Sequence, residues 1–346
     1  MIMQVNDYDF QAQGSSPGLE IKYPAAGNGV FDPHGSCQIF AQAELFGALP
    51  AGIYFNDTEG GNIMKKKKMM AFGLTLAAAL TLNAAVALAE EAAEPVITED
   101  VQEIIDRGVL RVGVKNAVVG FGYQDTLTGE YSGMEIDLAN MIAEKLGVET
   151  EFTAVTAATR TELLDAGDID CVLATFTITD ERKESWDFST PYYTDYVTVL
   201  VEDASGITTL EDLVDKKVGV SSGSTSAKSL VVAMTEAGVI SGEEYDAETF
   251  DPALWTEGVS FQQYDDYPTI STALSAGEVD AFCVDKSILA IYKTEGRSFI
   301  DAQFAPQEYG VATTKDSGFS AYVDTLIQGW LEDGTVDSLM EANGLE

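Results

Sequence analysis

The sequence holds 346 residues with 57 Asp and Glu against 19 Lys and Arg, a formal net charge of −38. Phosphate recognition rests on clustered cations, so an excess of acid this large argues against a nucleic-acid partner and favours a soluble chain that anionic surfaces repel. The single histidine, His34, falls in the first sixty residues, which leaves the remainder without Ser/His or Cys/His nucleophilic chemistry and without His-ligated metal sites.

Residues 1–63 are rich in Gly, Asn, Gln and Pro and carry no sustained helical or strand period, so they are expected to be an irregular, disordered extension upstream of the working protein. His34 and Cys37 lie in it and are given no role. At Met64 the pattern changes. Lys65 to Lys68 precede an uncharged Ala/Leu-rich run, Met69 to Ala89, that ends in Ala87-Leu88-Ala89. A basic head, an apolar middle and a small-residue cleavage site make 64–89 a secretory signal peptide. An uncleaved membrane anchor is the competing reading, weakened because Ala, Thr and Asn83 dilute the hydrophobicity. No cysteine stands directly after the cleavage site, which points to a freely diffusing periplasmic product after a short acidic linker, 90–95.

Beyond that, short β-rich runs alternate with amphipathic segments. The runs Leu110–Val114, Glu151–Val155, Ile169–Ala174, Lys217–Val220, Ser260–Tyr264, Val279–Val284 and Gly310–Thr313 read as strands. Helices are expected over Glu135–Leu146, Thr161–Ala166, Ser226–Ala237, Pro268–Ala276 and Phe319–Glu332, with Gly147, Gly167, Gly238, Gly277 and Gly334 as stops. This alternation predicts an α/β fold of mostly parallel sheets flanked by helices. The phrase Leu164-x-Ala-Gly-x-Ile-Asp170 returns as Leu274-x-Ala-Gly-x-Val-Asp280, so two related lobes are expected. The runs Tyr192–Val201 and Ala305–Thr313 are the natural crossings between them. Cys171 and Cys283 sit in apolar runs of different lobes and read as small buried hydrophobes, unpaired.

The segment Ala174-Thr-Phe-Thr-Ile-Thr-Asp-Glu-Arg182, followed by Trp186-Asp-Phe-Ser-Thr-Pro-Tyr-Tyr193, resembles the polar amino-acid solute-binding proteins of ABC importers. Arg111–Lys115, Gly133–Ala139, Gly219–Thr225 and Val279–Asp285 extend the resemblance over 96–346. Asp266-Tyr-Pro268 and Asp285–Leu289 are most similar to the aspartate/glutamate-binding branch. The resemblance implies a two-lobed periplasmic binding protein fold of type II, joined by two hinge strands, with lobe 1 at 96–194 and 306–346 and lobe 2 at 195–305. It implies a monomer that closes on a small amino acid and delivers it to a membrane permease, with no cofactor, no metal and no catalysis. Many relatives carry an aromatic or acidic residue after the first strand; here Lys115 and Val118 stand there, which favours an anionic ligand.

An α-amino acid needs a cation fork for its carboxylate and a carboxylate for its ammonium. Arg182 fits the first role, since Thr179, Asp180 and Glu181 read as the start of a helix, where a cation gains nothing from the dipole. Asp285 is the ammonium partner by resemblance; capping the next helix is its ordinary alternative. Thr175 and Thr177 lie two apart on one strand end and face the same way. Ser224 and Thr225, in Gly223-Ser224-Thr225-Ser226, open a helix whose free N–H groups favour an anion. A second, side-chain carboxylate would meet Arg160, placed near the ligand by resemblance, and Lys115, while Tyr267 lines the cleft with its ring. Cystine or a neutral polar amino acid is the rival ligand. A prephenate- or arogenate-type dehydratase on the same fold needs a general acid where Lys115 stands. A sensor input domain would be joined to a second membrane segment, and the sequence carries none.

Overall fold

The computed structural model describes residues 95–345. The expectations for residues 1–63, the signal peptide 64–89 and most of the linker 90–95 lie outside the described residues. Among those described, no helix is long and apolar enough to cross a membrane.

Helix α1 (Glu99–Arg107) leads into β1 (Val109–Val114), then a small antiparallel sheet of β2 (Ala117–Val118), β3 (Gly122–Gln124) and β4 (Tyr131–Ser132). There follow α2 (Met134–Leu146), β5 (Glu149–Ala154), α3 (Thr159–Asp165), β6 (Cys171–Leu173), α4 (Asp180–Ser185) and β7 (Trp186–Phe188). The chain continues through β8 (Tyr193–Glu202), β9 (Lys216–Ser221), α5 (Ser226–Glu236), β10 (Val259–Tyr264), α6 (Tyr267–Ala276), β11 (Ala281–Asp285), α7 (Lys286–Leu289) and β12 (Arg297–Phe299). It ends with β13 (Phe304–Tyr309), β14 (Ala312–Thr314), α8 (Gly318–Glu332) and α9 (Thr335–Ala342).

Two sheets result, each the centre of a lobe: β5-β1-β6-β14-β7, and β10-β9-β11-β8-β12 with β13 on β8. Each is mixed. The βαβ portions pair in parallel, β5-β1-β6 and β10-β9-β11, and the returning strands β14, β7, β8, β12 and β13 pair antiparallel. Central β1 and β9 are buried without alternation over their later residues, 112–114 and 218–221, as expected of strands covered on both faces.

The repeated phrase does the same work in both lobes. Gly167 and Gly277 take left-handed φ of 71° and 70° after α3 and α6, a conformation that costs glycine nothing. Asp170 then accepts the Arg111 N–H and Asp280 the Lys217 N–H, each at 2.8 Å, while their own N–H groups return to the same residues' carbonyls, also at 2.8 Å. The aspartate thereby pins the start of the central strand to its neighbour. Between the lobes, β8 and β13 run antiparallel from Tyr193↔Tyr309 to Phe304↔Val197. The second crossing is interrupted: Gly310 separates β13 from β14, and a Cβ there would lie 2.8 Å from the Ile178 side chain. Phe121, Tyr193 and Tyr309 pack against one another at the crossing, with centroids 5.0–5.7 Å apart. Cys171 in β6 and Cys283 in β11 are buried, free and in different sheets.

Candidate functional site

In open α/β sheets, ligand crevices form outside the carboxyl ends of the strands. Here the loops leaving β1 and β6 carry Lys115, Thr175 and Thr177, with Arg182 on α4 just beyond, and the loop leaving β9 carries Ser224 and Thr225, with Asp285 at the carboxyl end of β11. The two sets converge. Six of the nine residues singled out from sequence, Lys115, Arg160, Thr175, Thr177, Tyr267 and Asp285, are each no more than 6% exposed, so three ionisable side chains and a phenol have been taken out of water together.

The cations are held without being neutralised. Arg160, in the first turn of α3, lays its guanidinium 3.8 Å from the Phe176 ring centre. Its Nη1 donates to the carbonyls of Ala174 at 2.9 Å and Thr175 at 3.2 Å, and its buried Nε has no partner. Arg182 covers the same ring at 4.7 Å and donates Nη1 to Thr177 O at 2.6 Å. Its Nη2 crosses to Gly223 O of the other lobe at 3.1 Å. Lys115 sets its Nζ 5.3 Å from the centre of the Tyr267 ring. None of the three is ion-paired among the described residues. Loss of solvent penalises each charge. Desolvation, then the charge of Arg160, pushes Lys115 well below the usual lysine range and Arg182 to about 9; desolvation lowers Arg160 to about 10.

Asp285 closes β11 and stands at the start of α7, yet its carboxylate does not cap that helix. Oδ2 accepts from the Tyr309 hydroxyl at 2.5 Å, and Oδ1 is buried with no partner. Burial first, and the charge of Asp195 second, raise its pKa to about 7. A second buried acid, Glu135 in the first turn of α2, escaped the sequence reading, because an acid at a helix start has an ordinary dipole explanation. Its Oε1 accepts from the Thr175 N–H and the Tyr192 hydroxyl, each at 2.6 Å, and holds Thr175 at a φ of 45°, left-handed backbone that a β-branched residue rarely adopts. Oε2 is buried and unpartnered, and burial raises the Glu135 pKa.

Gln307 in β13 also escaped notice. Its Oε1 accepts from Thr177 Oγ1 at 2.8 Å and Thr225 Oγ1 at 2.7 Å, one hydroxyl from each lobe. Ser224 is the exception among the nine, since its hydroxyl and its N–H both return to Ser221 O, at 2.7 and 3.1 Å. It lines the cleft but closes its own turn, so the free donors expected of this loop do not include it. Gly223, at φ +74°, lies so close to the facing lobe that a Cβ would stand 2.8 Å from Ala157 O. Lys228 Nζ reaches Glu181 Oε2 across the cleft at 3.2 Å. The lobes are therefore in contact. A cavity of about 750 Å³ remains on the Arg182 side, and one of about 30 Å³ lies between Lys115 and Tyr267. A carboxylate could replace carbonyls at Arg182, and an ammonium could meet Asp285 Oδ1.

Residues 110–344 match the family described as bacterial extracellular solute-binding proteins, family 3. A glutamine-binding protein of Geobacillus stearothermophilus is 34% identical over 228 residues, 64% of this chain and 78% of that one. The L-cystine-binding protein TcyJ of Escherichia coli K12 is 31% identical over 245 residues, 69% of this chain and 84% of that one. Among solved structures, an ancestral arginine-binding protein bound to arginine superposes with a TM-score of 0.57 at 32% identity, covering 68% of this chain and 98% of that one.

Proposed function

We propose that this chain, which belongs to family 3 of the bacterial extracellular solute-binding proteins, is the amino-acid-capturing component of an ABC importer and that its ligand is acidic, glutamate or aspartate. It is a binder and not an enzyme, as its relatives are. The lobes of the working protein are 96–194 with 306–346, and 195–305, made periplasmic by the leader at 64–89.

The observation that carries the ligand class is the set of three cations without an acidic partner among the described residues: the guanidiniums of Arg160 and Arg182 donate only to carbonyls, and Lys115 lies against the Tyr267 ring. A carbonyl orients a guanidinium without cancelling its charge, and an unpaired buried cation is costly. Anionic groups of the ligand remove that cost. The α-carboxylate sits on Arg182 with Thr177 and Thr225, the α-ammonium on Asp285 Oδ1, and the side-chain carboxylate beside Arg160 and Lys115. Micromolar affinity needs only about 8 kcal/mol, within reach of a few desolvated charge-assisted bonds after ordering costs. Binding draws the lobes together by hinge closure, and the permease reads the closed form.

One observation favours a second ligand. Burial drives the Lys115 amine well down in pKa, and an uncharged amine would suit the side-chain amide of glutamine. Thermal-shift and calorimetric titration of the purified protein with the twenty amino acids and cystine separates the readings. A ligand at a hundred times its Kd adds about 2.7 kcal/mol. Glutamate and aspartate are expected to raise the melting temperature selectively; a selective response to glutamine moves the assignment to the neutral ligand.

A further inference from the structure

The cavity beside Arg182 does not end where a free amino acid would. At about 750 Å³ it holds about 25 waters at about 30 Å³ each, far more than the last atoms of an α-carboxylate displace, and it falls among pockets for ligands much larger than one amino acid. It starts at Thr177, Arg182 and Thr225 and continues outward between α4 and the irregular segment 239–258 of the other lobe, past Trp186, Phe250 and Lys228. That segment is no loose loop. Tyr245, Phe250 and Trp255 pack on one another and on Phe261 with centroids 5.6–6.4 Å apart, and Ala247 O accepts from Lys228 Nζ at 3.0 Å. The outer wall is therefore built, and it faces the carboxyl pole of the inner site.

We propose that the cleft also accepts an α-dipeptide whose first residue is acidic. This rests on the reading of the inner site given above. The first residue's ammonium meets Asp285 and its side-chain carboxylate meets Arg160 and Lys115, as for the free amino acid. Its carbonyl oxygen accepts from Arg182 in place of one carboxylate oxygen, and the second residue passes into the outer cavity. Trp186 and Phe250 offer that residue flat apolar faces. Lys228, paired with Glu181 at 3.2 Å, exchanges that partner for the terminal carboxylate, and Glu181 on α4 and Glu248 on the facing segment disfavour an acidic second side chain by like-charge repulsion.

Calorimetric titration of the purified protein with glutamate, Glu-Leu and Leu-Glu tests this, on the unaltered chain and on Ser185→Trp, which narrows the outer cavity from α4 without touching the inner site. Glu-Leu is expected to bind within about tenfold of glutamate and Leu-Glu about a hundredfold or more weaker than Glu-Leu, since order decides which residue meets the cations. S185W is expected to weaken Glu-Leu by about tenfold or more and leave glutamate within about twofold. Glutamate binding without Glu-Leu binding overturns the dipeptide and leaves the amino-acid reading intact. Equal affinity for the two dipeptides, or equal losses for glutamate and Glu-Leu in S185W, also overturns it. If neither glutamate nor Glu-Leu binds, both readings fall.

Discussion

Arg160→Met removes the guanidinium that lies over Phe176 and leaves an unbranched apolar side chain in its place. In the acidic-ligand reading, Arg160 Nε, buried and unpartnered, donates to the ligand's side-chain carboxylate. Truncating one partner of a buried, hydrogen-bonded charge pair costs about 2–5 kcal/mol, which at about 1.4 kcal/mol per decade weakens glutamate by about 30- to 4,000-fold. Glutamine loses one bond to a neutral amide oxygen, about 0.5–1.5 kcal/mol, or about 2- to 12-fold. Two opposing effects bear on the ligand-free fold. The carbonyls of Ala174 and Thr175 lose a donor, while a buried charge whose pKa desolvation lowers to about 10 no longer has to be kept from water. They offset, so the ligand-free melting temperature is expected to move by only a few degrees and serves as the fold check. Titration calorimetry with both ligands, at one pH and ionic strength, reads the ratio. Equal losses for glutamate and glutamine would refute the assignment of Arg160 to the side chain.

The raised pKa of Asp285, about 7 against an ordinary 3.8, sets two opposite pH trends. Its carboxylate must be ionised to hold an ammonium, so affinity should be flat above about pH 8 and fall up to tenfold per unit below about 7, with proton release on binding; Asp285→Asn should remove this step and weaken every amino acid. By the same linkage this group's contribution to ligand-free stability is full below about pH 4 and is lost as pH rises through about 7, against the trend in affinity; a pH series of affinities without a step near 7 counts against it. Gly223→Ala places a Cβ 2.8 Å from Ala157 O of the facing lobe, a clash met only when the lobes close; overpacking of this kind costs about 1–3 kcal/mol, so it should weaken all ligands by about 5- to 140-fold, and an unchanged Kd would show that closure does not need this approach. Cys171 and Cys283 should both resist thiol reagents in the native protein, since burial raises both thiols, and should both react after denaturation. A disulfide between them in a peptide map would contradict the separation of the two sheets.

Strong local patterns made most of the fold legible in advance. The apolar run of β1, the glycine stops at Gly147 and Gly277, and the paired aspartates Asp170 and Asp280 each act through neighbours close in the chain or through a repeated transition. Arg182 was legible because it sits where a helix start gives a cation no benefit. Glu135 was not, because its position looks ordinary until Thr175 and Tyr192 arrive from 40 and 57 residues away. Gln307 means nothing without Thr177 and Thr225, which lie 130 and 82 residues from it. The segment 239–258 has no helical or strand period. Its order comes from aromatic side chains meeting one another and Phe261, a property of packing and not of spacing.

The amide oxygen of Gln307, shared by a threonine from either side, gives the vacant molecule a reason to shut. Each such bond contributes about 0.5–1.5 kcal/mol net, so a measurable minority of unloaded molecules should already adopt the compact shape, and a ligand then shifts a standing equilibrium. A permease that judged its visitor by outline alone would be held by these blanks. Transport fidelity therefore depends on keeping that spontaneous closure weak, and a substitution that strengthened it would raise affinity on the bench while slowing uptake in the cell.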